Sequence, residues 1–214
     1  MANHVHFHIE FKQINDEAKA KLNELYSRIR SSDQENYNGH QWFSDMFVEG
    51  DLTYKDTEQY SWTTANIGTK WCYLEEFDTD SMYGFSAWGA PQEGLEKLLT
   101  ILAEHDPNIV TLFSYEDESP NFAGACIYDG EHAHDWLEWD FEEIREFVIE
   151  DSEVLNEDSY DADEDEWNGE ESEDTFYEEI WETINMKQHD FFIEMLEEVE
   201  INQKDREENP DLYT

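Results

Sequence analysis

The segment HVHFHIEF, residues 4 to 11, sets Val5, Phe7, Ile9 and Phe11 against His4, His6, His8 and Glu10. Successive side chains of a strand point to opposite faces, so this alternation predicts a strand with one apolar and one polar face. A helix follows in NDEAKAKLNELYSRIR (15–30), where Asn15 stands as the N-cap and Ala18, Leu22, Leu25 and Ile29 recur at helical spacing. TKWCYLEEF (69–77) and MYGFSAW (82–88) read as two strands joined by a turn at DTDS. PQEGLEKLLTILAEHD (91–106) opens with Pro91 at a helix start and repeats Leu95, Leu98, Leu99 and Leu102. IVTLFSYED (109–117) and FAGACIYD (122–129) add two strands around ESPN. The order β-α-β-β-α-β plus an extra strand predicts an α+β fold, a ferredoxin-like antiparallel sheet with two helices on one face. This domain is expected over residues 1–140. It includes a long polar excursion at 31–62, where Trp42, Phe43, Met46 and Phe47 predict one short helix.

Charge divides the chain unevenly. Of 214 residues, 56 are acidic and 12 basic, a formal net charge of -44. Residues 1–128 carry 22 acidic and 8 basic residues (net -14), and residues 129–214 carry 34 and 4 (net -30). Such a chain repels phosphate backbones and anionic membranes and attracts basic proteins. Direct nucleic-acid binding is therefore not expected, and no apolar run approaches the length of a membrane span. MANHVHFHIEF has neither the basic start nor the long apolar run of a signal peptide, so the protein is expected in the cytoplasm. Cys72 and Cys126 are too few for a disulfide framework and are expected to be reduced and buried.

His4, His6 and His8 project from one face of the first strand, and His132 and His134 share a face further on. If those two strands were neighbours, the imidazoles would make a zinc or copper site. Asp161, Asp163 and Asp165 match calcium-loop positions 1, 3 and 5, but Glu166 stands where the loop needs Gly and Ser172 where it needs Glu. No GxSxG, Gly-rich phosphate loop or HExxH occurs. Lys70, alone among acids, is expected to pair with a carboxylate. No catalytic residue and no cofactor is assigned.

The acidic end, 141–214, reads as a helical region with a flexible acidic loop at about 157–174. DFEEIREFVIED (140–151) buries Phe141, Ile144 and Val148 and turns Glu142, Glu143, Glu146 and Glu150 outward. A second helix begins near Asp174, burying Phe176, Ile180, Trp181 and Ile184 under exposed Glu178, Glu179 and Glu182. A third, about 188–203, buries Phe191, Met195, Leu196 and Val199 and exposes Glu194, Glu197 and Glu198. The connector supplies Asp158, Asp161, Asp163, Asp165, Glu166, Glu170 and Glu171, with Trp167 as an aromatic anchor.

NIGTKWCYLEEF, FSAWGAPQEGLEKL and FSYEDESPNFAGACI together resemble the YubB ferredoxin-like domain family of plasmid and phage proteins, over about residues 1–140. That family runs W-G-T-K-W, then T-A-W-S-P-P, then Y-x-E-x-G-x-x-F-x-G. Here Ile67 replaces the first Trp, Ser86 the Thr, and Gly89-Ala90 the Ser-Pro. The resemblance implies the fold and a mobile-element protein in a bacterial cell, not a reaction. Joined to the charge, it leads to the expectation of a nucleic-acid (DNA) mimic. The partner would be a basic nucleic-acid-binding host protein: a defence nuclease, CRISPR effector, polymerase or nucleoid protein. Two other readings are an acidic module assembling with a basic partner of the same element, and a metal-dependent enzyme at the His-lined face. Oligomeric state is open, with a homodimer allowed.

Overall fold

A computed structural model describes residues 3–29, 40–47, 56–161 and 166–209. The opening alternation forms strand β1 (His4–Gln13), with Val5, Phe7, Ile9 and Phe11 buried. Helix α1 (Asp16–Tyr26) starts where the Asn15 side chain accepts the Ala18 N–H, as the cap predicts. The excursion holds a short edge strand β2 (Gln41–Trp42), a 3-10 turn Phe43–Phe47 that buries Phe43 and Met46, and helix α2 (Asp56–Ile67). That turn is the expected short helix, in 3-10 form, and the expectation did not include α2.

Strands β3 (Cys72–Phe77) and β4 (Ser81–Ala87) form the predicted hairpin, its turn held by the Asp78 carboxylate accepting the Asp80 and Ser81 N–H groups. A Cβ at Gly84 would lie 2.2 Å from the Tyr73 carbonyl oxygen and 2.8 Å from Phe7 Cζ, so only glycine lets these groups approach. Helix α3 (Gln92–Ala103) follows Pro91, then β5 (Val110–Asp117), β6 (Phe122–Asp129) and β7 (His132–Asp140).

All seven strands join one antiparallel sheet in the order β2-β3-β4-β1-β5-β6-β7. Within it β3-β4-β1-β5 is the ferredoxin-like order, extended by β2 at one edge and by β6 and β7 at the other. The expected α+β fold is thus the observed one. On one face Leu22 and Leu25 of α1 and the four leucines of α3 pack against Phe7, Ile9 and Phe113. Cys72 and Cys126 are both free and buried, and burial pushes the Cys126 thiol up to about 12.

The acidic end departs from expectation in its continuity. Helix α4 (Phe141–Asp151) opens with a capping box between Asp140 and Glu143. The connector contains a 3-10 turn Glu157–Ser159 and a two-strand hairpin, β8 (Tyr160–Asp161) and β9 (Glu166–Trp167). The two expected helices are one, α5 (Glu170–Glu208), 39 residues long. It crosses the second face of the same sheet, so the acidic region and the ferredoxin-like body share a core.

Candidate partner-binding surface

Helix α5 is seated by two apolar clusters. Phe176, Ile180 and Ile184 pack with Ile144, Val148, Leu155 and Trp139, and Phe191, Met195 and Val199 pack on Val110, Leu112, Ala125 and Ile127. Between them the buried Gln188 side chain donates to the Tyr115 and Gly124 carbonyls at 3.3 and 3.0 Å. That polar residue interrupts the apolar stripe and suggests a helix break, yet its amide finds partners in the sheet. Near the C-terminal end Gln203 and Arg206 donate to the Asp129 carboxylate at 2.9 and 2.5 Å.

This seating decides whether an acidic helix can persist. Each buried large apolar side chain contributes roughly 1.5–3 kcal/mol. Five acidic pairs at i,i+4 spacing lie on α5, from Glu170–Asp174 to Glu194–Glu198, and each costs about 0.2–0.5 kcal/mol. Packing outweighs repulsion several-fold, so the fold holds an anionic face that would otherwise fray.

The acidic residues predicted to face outward mostly do. Glu142, Glu143, Glu146 and Glu150 on α4 are exposed, as are Asp158 and Glu171. Glu178, Glu182, Glu194, Glu197 and Glu198 on α5 are exposed and Glu179 is half-buried. Asp161 is half-buried in the β8–β9 hairpin. Asp163 and Asp165 lie outside the described residues, Glu166 belongs to β9, and Glu170 begins α5. Glu198 approaches His134 at 3.6 Å. Among the described residues, Glu142, Glu146, Glu178, Glu182, Glu194 and Glu197 have no cationic partner. α5 carries 15 acidic and 3 basic residues, net -12, along about 58 Å at 1.5 Å per residue. That is about one net charge every 5 Å, approaching the roughly 3.4 Å charge spacing of one nucleic-acid strand.

Two tryptophans exchange their expected places. Trp167, expected as the anchor, is half-buried against Phe176 (ring centroids 4.6 Å) and Tyr160 (5.0 Å). Trp181, expected in the core, is 37% exposed. The residue beside it, Ile180, takes the buried position.

α5 covers only part of its sheet face. Over β3, β4 and β1 the face is aromatic and half-buried. Trp71 stacks with Tyr73 (5.6 Å) and Tyr73 with Phe85 (5.5 Å), while His4 meets Trp71 edge-on (5.0 Å) and His6 meets Phe85 (4.4 Å). His6 Nδ1 also shares a hydrogen bond with Tyr83 Oη at 2.9 Å, and burial lowers the pKa of His6 and His8. The signal for this array was present in W-C-Y and Y-G-F, where aromatic residues alternate with buried ones. The topology does not meet the condition on which a histidine metal site depended. β5 and β6 separate β1 from β7, so His4, His6 and His8 do not meet His132 and His134. Among the described residues no group of three or more His, Cys, Asp or Glu is placed to hold a metal ion.

Lys70 also departs from expectation. Its ammonium lies over the Tyr60 and Trp88 rings, 5.3 and 4.9 Å from their centroids, and forms no salt bridge among the described residues. No helix among the described residues is long and apolar enough to cross a membrane. No protein-family model, curated protein or solved structure matches this chain.

Proposed function

We propose that this protein is a nucleic-acid mimic, encoded by a phage or plasmid, that occupies the basic nucleic-acid groove of a host protein and blocks it. The observation that carries the reading is α5: 15 acidic residues on one continuous, sheet-supported helix, its outward carboxylates largely without cationic partners among the described residues. Solubility asks for a net charge of magnitude about 2–8 for a small domain, far below -44. A rigid array loses little freedom on docking, and its field steers a basic partner to it quickly. The exposed carboxylates of α4 widen the same anionic surface.

The test is competitive capture. The immobilised full chain is exposed to a bacterial lysate, and bound proteins are eluted with duplex DNA or RNA. The reading expects nucleic-acid-binding proteins that leave as nucleic acid is added. A captured partner that keeps its nucleic acid while bound would favour the assembly module instead. Deleting residues 141–214 is not a usable control, because it would uncover Val110, Leu112, Ala125 and Ile127. Charge-neutralising substitutions on α5 serve instead.

A further inference from the structure

Where α5 borders the aromatic half of the sheet, a cavity of about 400 Å³ is lined by His6, Glu116, Glu118, Trp181, Ile184 and Asn185. Glu116 stands opposite His6 in the β1–β5 register, and Glu118 is fixed beside them by its backbone N–H donating to the His4 carbonyl at 2.8 Å. We infer that this cavity is a socket for an arginine side chain of the basic partner, and for the partner's nature the inference rests on the reading above.

Several observations select that occupant. Both ionisable carboxylates of the lining repel a phosphate or nucleotide and attract a cation. Among the described residues the Glu116 carboxylate has no hydrogen bond or ion pair, its backbone alone being held in the β1–β5–β6 ladder. His6 does not serve as its counter-charge, because the imidazole is engaged with Tyr83 Oη and burial favours its neutral form. Trp181 offers an exposed indole at the mouth. A guanidinium is planar, stacks on an indole and donates two parallel hydrogen bonds to a carboxylate, whereas an ammonium is a compact, strongly hydrated point charge. Burial raises the Glu116 carboxyl to about 7, and an arriving cation would return it to the ionised form. The titrating groups facing it are His6 on β1, Tyr83 on β4 and Glu118, while α5 contributes Trp181, Ile184 and Asn185, none of which titrates.

The experiment uses the full chain and two probes of equal charge, hexa-arginine and hexa-lysine peptides, titrated by calorimetry at physiological salt. The expected result is about tenfold tighter binding of the arginine peptide. Glu116→Gln and Trp181→Ala should each bring it to the affinity of the lysine peptide. Glu194→Gln with Glu197→Gln should weaken both peptides equally. Glu116→Gln preserves shape and Trp181 is already exposed, so both variants are expected to fold, with circular dichroism as the check. Equal affinities in the parent chain, or a preference that survives both socket substitutions, would overturn the inference. No nucleic acid enters this titration. A chain that prefers arginine yet fails to compete with DNA or RNA retains the socket and loses the mimic reading, and the opposite pair of results does the reverse.

Discussion

One face of one sheet is built in two ways. Over β5 and β6 it is aliphatic, with Val110, Leu112, Ala125 and Ile127 lying under α5. Over β3, β4 and β1 it is aromatic, with Trp71, Tyr73, Phe85, Tyr83, His4 and His6 half-buried. Aliphatic groups have no polar handle and are covered, whereas the Trp, Tyr and His rings around Phe85 carry an N–H or O–H that water can satisfy, and aromatic faces are electron-rich toward cations. The acidic helix is thus seated by ordinary packing, and the aromatic half beside it is suited to cationic contacts.

The contrast can be broken most severely on the covered side. Phe176 is fully buried, so Phe176→Ala should cost about 3–5 kcal/mol in denaturant unfolding. Tyr73→Ala on the aromatic half should cost well under half of that. A second, opposite-signed effect is expected from Glu116. Its folded pKa of about 7 lies above the ordinary value of 4.5, so folding disfavours the charged form. That carboxyl therefore weakens the fold progressively as pH rises from about 4.5 to 7, and the penalty is full above that. Glu116→Gln should leave stability unchanged near pH 4 and raise it by about 1–3 kcal/mol at pH 8, read from urea midpoints. Gln188→Ala removes both bonds to the sheet carbonyls and should cost about 1–2 kcal/mol. The smallest change belongs to the outer face. Neutralising Glu194 and Glu197 should raise stability by only a few tenths of a kcal/mol, an increment that salt erases.

How far the sequence was legible follows the strength of its periodicity. β1, α1 and α3 show clean periods of two or 3.6, and Asn15 and Pro91 mark their helix starts. α2 has no apolar stripe in DTEQYSWTTANI, so nothing local announces it. α5 reads as two helices because Asn185, Lys187, Gln188 and His189 interrupt its apolar side, and only the sheet supplies the carbonyls that make Gln188 acceptable. The exposed acids of α4 and α5 were legible because charge opposes burial strongly. The socket was not, since it forms from Glu116, His6 and Trp181, which lie on three elements far apart in sequence. Neither strand order nor the helix that lies over it is encoded in a local pattern, and the same gap placed His4 and His132 on hypothetical neighbours.

On the proposed function, the outward carboxylates of α5 stand in for a nucleic-acid backbone. The most direct test is the affinity of the intact chain for the partner recovered by competitive capture, measured against a variant with Glu178, Glu182, Glu194 and Glu197 changed to Gln. The account predicts that the variant binds much more weakly, with a shallower dependence on salt, and no longer excludes DNA or RNA from the partner. A variant that binds and excludes nucleic acid as the parent does would contradict it.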